Sequence, residues 1–225
     1  MRRAFATAAA GAIIVAGFTL APSQQQQTAA RPVTIDRLYV TPNTVRVSGS
    51  NIYADCAAIT QLTYGATHHE DRPHAVSLVR ADRKADALLA ASRITHFPVN
   101  APVLFVEANR IPAETFAELK RLGPDGNDYD NDVQVYLVGP ISLSIATEIE
   151  EKLGYKTRSF PIDDPFLLAE ELDTWAAAVH GDHPDEVIII QAKNLDMVLP
   201  AAAWNAHMGQ GLFFVDGDRI PDATR

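Results

Sequence analysis

VLFVEANRIPAET runs from Val103 to Thr115, and LFFVDGDRIPDAT runs from Leu212 to Thr224, 109 residues further on. Each stretch passes through an apolar burst, an acidic residue (Glu107, Asp216) and a turn, and then spells Arg-Ile-Pro: Arg110-Ile111-Pro112 and Arg219-Ile220-Pro221. Self-similarity at a fixed spacing marks a repeated structural unit, so the rest of the chain is read around this pair. The burst has the continuous apolarity of a strand buried on both faces. The proline after it suits the first position of a helix, where a missing N–H leaves no hydrogen bond unmade.

Working outward, AVSLVR (75–80) and VQVYLVG (133–139) are further apolar runs. ADALLAASRI (85–94), PAETFAELKRLG (112–123) and ISLSIATEIEEKLG (141–154) have helical spacing, with Gly123 and Gly154 as stops. Buried strands alternating with helices of this length imply an α/β fold around a mostly parallel sheet flanked by helices. The second half follows the same order. PFLLAEELDTWAAAV (165–179) reads as a helix and VIIIQA (187–192) as a buried strand. LDMVLPAAAWNAHM (195–208) reads as a helix kinked at Pro200, and GLFFVD (211–216) as the last strand. Asp86 then matches Asp196, and the helix beginning near Tyr53 matches the one near Phe166. The second unit lacks the final helix, strand and helix of the first. Upstream, TIDRLYVTPNTVR (34–46) suggests one or two short strands broken at Pro42-Asn43. The helix after it carries Ile52, Cys56, Ile59 and Leu62 on one face.

The N-terminus has the layout of a secretory signal peptide: Arg2-Arg3, an apolar run from Ala4 to Ala21, then Gln24 to Gln27. The alternative is an uncleaved membrane anchor, the only route by which a membrane enters this reading. The expected organisation is a signal peptide and polar linker over 1–30, a first α/β unit over 31–155, and a second, incomplete unit over 156–225. A net charge of −9 argues against nucleic-acid binding, which needs a basic face to meet phosphates. A single cysteine excludes an internal disulfide. Cys56 has no motif linking it to a base and reads as a buried structural thiol.

The residues quoted so far resemble a known family, the cell wall-binding repeat 2 modules of bacterial surface proteins. The resemblance is carried by Arg46-Val47-Ser48-Gly49, Tyr53, Ala85-Asp86-Ala87-Leu88-Leu89, and Asn100-Ala101-Pro102-Val103-Leu104-Phe105. Ile111-Pro112 and Val135-Tyr136-Leu137-Val138-Gly139-Pro140 continue it. It covers residues 45–154 well and 158–225 loosely. Val-Gly-Pro stands where the family has a glycine pair, and Asn51-Ile52-Tyr53 where Asp-Arg-Tyr is usual. The resemblance implies layering of the Rossmann or Toprim kind. It also implies non-covalent attachment to an anionic cell-envelope polymer at the cell surface or wall, without catalysis or cofactor.

Six residues are candidates for contact with a polymer or ligand. Asp86 and Asp196 stand one residue into their helices; such an acid is either stabilised by the helix N-terminus or orients a ligand at the strand-to-helix crevice. Asn109, Arg110 and Arg219 occupy the repeated turn, and Ser142 follows Gly139-Pro140 at a helix N-terminus that can receive an anion. His68, His69, Glu70, Asp71 and His74 fit no metal-ligand spacing and read as a solvated loop. DGNDYDND (125–132) lacks the glycine and glutamate of a calcium loop and reads as an acidic, mobile insertion. No nucleophile elbow or catalytic set appears. Two other functions remain open. One is an exported α/β enzyme or small-ligand-binding domain with its site at the strand C-termini; the other is a homo-oligomer that completes the short second unit.

Overall fold

The computed structural model describes residues 39–181 and 183–225. Residues 1–30, read as signal peptide and linker, lie outside them. Strands β1 (Tyr39–Val40) and β2 (Val45–Arg46) form a small antiparallel hairpin. Pro42-Asn43 falls in its turn, which the Thr41 N–H closes on the Thr44 carbonyl at 2.8 Å. Helix α1 (Ile52–Thr63) follows, capped by Asn51 Oδ1, which accepts the N–H groups of Tyr53 and Ala54. Such a cap contributes about 1 kcal/mol. Then come β3 (Val76–Arg80), α2 (Lys84–Arg93), β4 (Val103–Val106), α3 (Ala113–Leu122), β5 (Val135–Val138), α4 (Leu143–Leu153) and β6 (Thr157–Phe160). The chain continues through α5 (Pro165–His180), β7 (Val187–Gln191), a 3-10 turn (Leu195–Val198), α6 (Leu199–Met208) and β8 (Gly211–Val215).

Strands β4-β3-β5-β6 form a parallel sheet flanked by helices, as the alternation of apolar runs and helices requires. Side chains alternate across it. Val135 and Leu137 of β5 join Val76, Leu78 and Leu104 in a core with α3 and α4, and α1 packs on β4 and α3. Tyr136 and Val138 point the other way, into a larger core with α2 and α5. Beyond α2 and α5 lies the parallel pair β7-β8. Ile190, Leu212 and Phe214 share that larger core, and α2 packs on α5, α6 and β8. Helix α2 is therefore enclosed on two sides.

Several expectations are corrected. Ile52, Ile59 and Leu62 of α1 are about half exposed, and the buried face is Ala54, Ala57, Ala58 and Thr60. Small residues let the helix lie close on β4, which the larger stripe would prevent. Cys56 sits partly buried at that seam, where burial pushes its thiol up to about 11, so it is a poor nucleophile. Strand β6 was not expected, because Thr157-Arg158-Ser159 is polar; it forms the sheet edge and pairs only with β5. Pro200 does not kink a helix but stands in the first turn of α6, where its missing N–H is harmless. Pro112 caps α3 from one position earlier than expected. Strand β7, expected to be buried, leaves Val187 and Ile189 each 52% exposed, because nothing described pairs with its second edge.

The acidic segment 125–132 is not a mobile insertion. Asn127 and Asp130 are buried, and Asp130 Oδ2 accepts Tyr136 Oη–H at 3.1 Å and Trp175 Nε1–H at 2.9 Å. Its Oδ1 accepts Arg158 Nη1–H at 2.5 Å. Asn127 Nδ2 donates to Tyr136 Oη at 2.9 Å, so the segment clasps β5, β6 and α5 together. A second buried ion holds the two halves to each other. Arg93, 1% exposed at the end of α2, donates to the Gly209 carbonyl and lies 3.0 Å from Asp173 Oδ1 on α5.

Candidate functional site

Parallel strands all end at one edge of their sheet, so the turns after β3, β4 and β5 gather there. From β3 the chain leaves by α2 toward β4, on one face of the sheet. From β5 it leaves by α4 toward β6, on the other face. The gap between β3 and β5 is thus the place where open α/β sheets bind ligands.

The protein fills this gap with its own ion pair. Asp86, 1% exposed, accepts from Arg83 Nε at 2.7 Å and from Nη2 at 3.3 Å. Arg83 Nη1 reaches on to Asp163 Oδ1 at 2.6 Å, just past β6. Burial pushes the Asp86 carboxyl up while Arg83 pulls it down, and the hydrogen bond to Asp86 raises the guanidinium. Above them Arg80 Nη1 donates to the Pro140 carbonyl at 3.4 Å, and its Nε and Nη2 hold Asp82. Asp86 is therefore held by Arg83, which carries the link on to Asp163, and is not a free carboxylate. The sequence marks Asp86 by its place and Arg83 only as one of three closely spaced arginines, with Arg72 and Arg80; that Arg83 reaches three residues along the helix entrance to meet Asp86 shows only in the fold.

Gly139 closes the arrangement. It has φ +85°, and a β-carbon there would stand 2.2 Å from Asp86 Oδ2. Gly139→Ala is expected to cost about 2–4 kcal/mol, from left-handed strain and displacement of the carboxylate together. Chemical denaturation checks this, and a loss below about 0.5 kcal/mol, the range of an ordinary surface change, would contradict the close packing.

The turn after β4 is open to solvent. Glu107 N–H donates to the Arg110 carbonyl at 3.1 Å, and Arg110 Nε returns to Glu107 Oε2 at 2.9 Å. That bond raises the Arg110 guanidinium further above its already high value. Asn109 is exposed beside it. Ser142 caps α4, its Oγ accepting the Ser144 N–H at 3.3 Å, and its own N–H donates to the Ala108 carbonyl at 2.8 Å. The structure thus brings Asn109, Arg110 and Ser142 onto neighbouring turns, while Asp86 lies beneath Gly139. At the start of α1, burial first and then the Glu107 charge raise the Tyr53 hydroxyl, against a smaller lowering by Arg110.

The same frame recurs after β8. Asp216 N–H donates to the Arg219 carbonyl at 3.1 Å, and Arg219 Nη2 lies 3.6 Å from Asp216 Oδ2. Thr224 Oγ1 donates to the Phe214 carbonyl at 2.7 Å, as Thr115 Oγ1 does to Phe105 at 2.6 Å. Asp196 departs from the pattern. It is 74% exposed and bonded to Lys84 Nζ at 2.5 Å, because Lys193 stands where Arg83 would and turns to Asp216 instead. Among the described residues no cluster of three or more histidine, cysteine or acidic side chains could hold a metal ion.

The fold is that of two solved bacterial structures. Cwp6 from Clostridium difficile matches 83% of this chain with a TM-score of 0.60 and 18% identity. Cwp8 from the same organism matches 78% with a TM-score of 0.59, also at 18% identity. The chain spans 28% of the length of each. At that identity the likeness is one of fold. No family model and no curated protein sequence matches the chain.

Proposed function

We propose that this is an exported binding module that holds to the cell envelope through an anionic polymer, without catalysis. It is built from two copies of one α/β unit, the second incomplete. The observation that carries the reading is the repeated turn. Glu107–Arg110 and Asp216–Arg219 are framed by the same backbone bond, and their cations are 64% and 76% exposed. A cation repeated at matching places suits a ligand with repeated negative charge, since contacts made together strengthen one another. Neighbouring carboxylates do not prevent this, because exposed ion pairs contribute little and exchange easily. Asn109 and Ser142 add hydrogen-bonding groups beside Arg110, and Asp86 sets the shape of the turns from below. Asp196 holds Lys84 near the second turn. The fold shared with Cwp6 and Cwp8 and the sequence resemblance to wall-binding repeats support placing the protein at the envelope. The apolar segment at 4–21 supports export.

The test is co-sedimentation of the full chain with purified envelopes, before and after their anionic polymers are stripped. Binding is expected to fall on stripping and with rising salt, as screened charge contacts must. Arg110→Glu combined with Arg219→Glu is expected to weaken binding about tenfold or more, equivalent to about 1.4 kcal/mol. Equal sedimentation with stripped envelopes would sink the polymer reading.

A further inference from the structure

Among the described residues, strand β7 pairs with a neighbour on one edge and not on the other. Its register on β8 repeats that of β3 on β4: Ile190 stands beside Phe214 as Val79 stands beside Phe105. Val187 and Ile189 consequently occupy the places of Val76 and Leu78. In the first sheet those two are 0% exposed, because β5 lies alongside β3 and α3 and α4 belong to the same core. In the second they are each 52% exposed, and no described strand pairs with that edge. A hollow of about 450 Å3 lies over the same face, lined by Val187, Ile189 and Phe213, with Glu170 and Asp173 among its walls. The outer edge of β8 is different, for it corresponds to the outer edge of β4, which has no neighbour in the first sheet either.

We infer that the edge of β7 turned away from β8, unpaired among the described residues, is an interface between two copies of this chain, paired antiparallel across a two-fold axis at Ile189. The charges flanking the strand favour this partner and this direction. About Ile189, antiparallel pairing sets Val187 opposite Gln191 of the second copy and Asp185 opposite Lys193 of the second copy. Both charged residues are exposed, and both contacts occur twice by symmetry. Parallel pairing would instead bring each charge beside its like. Lys193 is bonded at present to Asp216 at 3.1 Å, a surface pair that contributes little and can be shared. The two Ile189 side chains then meet as a β-branched cross-strand pair, and the open backbone groups of Val187 to Gln191 find partners. Edge strands that stay single are commonly guarded by a lysine, a proline or a bulge within the strand; Val187-Ile188-Ile189-Ile190-Gln191 carries no such guard. This pairing is independent of what the repeated turn binds.

The test is analytical ultracentrifugation of the full chain between about 1 and 100 µM, the range suited to an interface of modest area. The mass is expected to move from one chain toward two. Asp185→Lys alone, or Lys193→Asp alone, places like charges opposite each other and is expected to weaken association about tenfold or more. The two together restore opposite charges and should return association to within about threefold of the original. Ile189→Lys, a charge on the edge itself, should leave single chains with unchanged circular dichroism. A single-chain mass at every concentration would overturn the inference. So would a double charge swap no better than either single one, which is the outcome if β7 meets a different edge or partner.

Discussion

Asp130→Ala is expected to lower the free energy of unfolding by about 3–5 kcal/mol, the loss seen when one partner of a buried charge network is removed. The carboxylate accepts from three donors on three elements: Tyr136 of β5, Arg158 of β6 and Trp175 of α5. Arg158 is 40% exposed and can return to water. Tyr136 is fully buried and Trp175 nearly so, so their donors would stay in the core, where Asn127 meets the Tyr136 hydroxyl as a donor and does not replace the lost acceptor. The hydroxyl of Tyr136 is already held well above its ordinary pKa, first by burial and also by the Asp130 charge. Asp130→Asn keeps an acceptor and loses the charge, and should cost about 1–2 kcal/mol, the scale of one weakened hydrogen bond. Urea denaturation followed by tryptophan fluorescence reads both, because Trp175 stacks edge-on to Tyr136 and Phe160 at the same spot. If Asp130→Ala came within 1 kcal/mol of the parent, the clasp would not be holding these elements together.

Arg93→Ala should cost about 3–4 kcal/mol, whereas Arg93→Met combined with Asp173→Asn, which removes both charges, should recover most of that loss. Truncation to alanine opens a cavity and strands Asp173, which is 15% exposed. Yet the guanidinium itself is poorly served. Its Nη2 is within ion-pair distance of Asp173 but misaligned for a hydrogen bond, and Nε has no partner. Burial pulls the Arg93 pKa below its usual range for that reason. His180 nearby is held down to about 4, first by burial and then by Arg93 and His96, so the pocket tolerates little positive charge. Methionine fills the space without the desolvation cost and asparagine leaves no charge stranded, and buried ion pairs replaced at both partners are often neutral. Equilibrium unfolding of both variants separates packing from charge. A double variant as unstable as the alanine variant would show that the ion pair, not the volume, joins the two halves.

The fold was legible because its main signal is coarse. Runs such as Val135-Tyr136-Leu137-Val138 can only be strands covered on both faces, and the helices between them carry plain stops at Gly123 and Gly154. Strand β6 was illegible because an edge strand with one neighbour needs no apolar run. The buried face of α1 was misread because alanine, which carries little hydrophobic signal, makes the closest contact with the sheet. The candidate site was half legible. Asp86 stood out by position, but its burial depends on Arg83 and Gly139, which approach it only in three dimensions. Asp196 holds the same sequence place and is exposed, because Lys193 stands where Arg83 would and no described strand lies beside β7 as β5 lies beside β3. Asp130 was hidden for the opposite reason. Among four aspartates in eight residues, nothing in the sequence says which one is buried.

The double enclosure of α2 also sets the order in which the chain can assemble during synthesis. A chain made from its N-terminus has β3, β4 and α2 available early. The contacts that cover the far side of α2 come from much later: Lys84 waits 112 residues for Asp196, and Arg93 waits 116 for Gly209. Until those residues arrive, the first sheet carries a helix whose outer apolar side faces water. Closing such long loops is slow, so the nascent protein passes through a prolonged sticky stage in which a chaperone can still hold it unfolded.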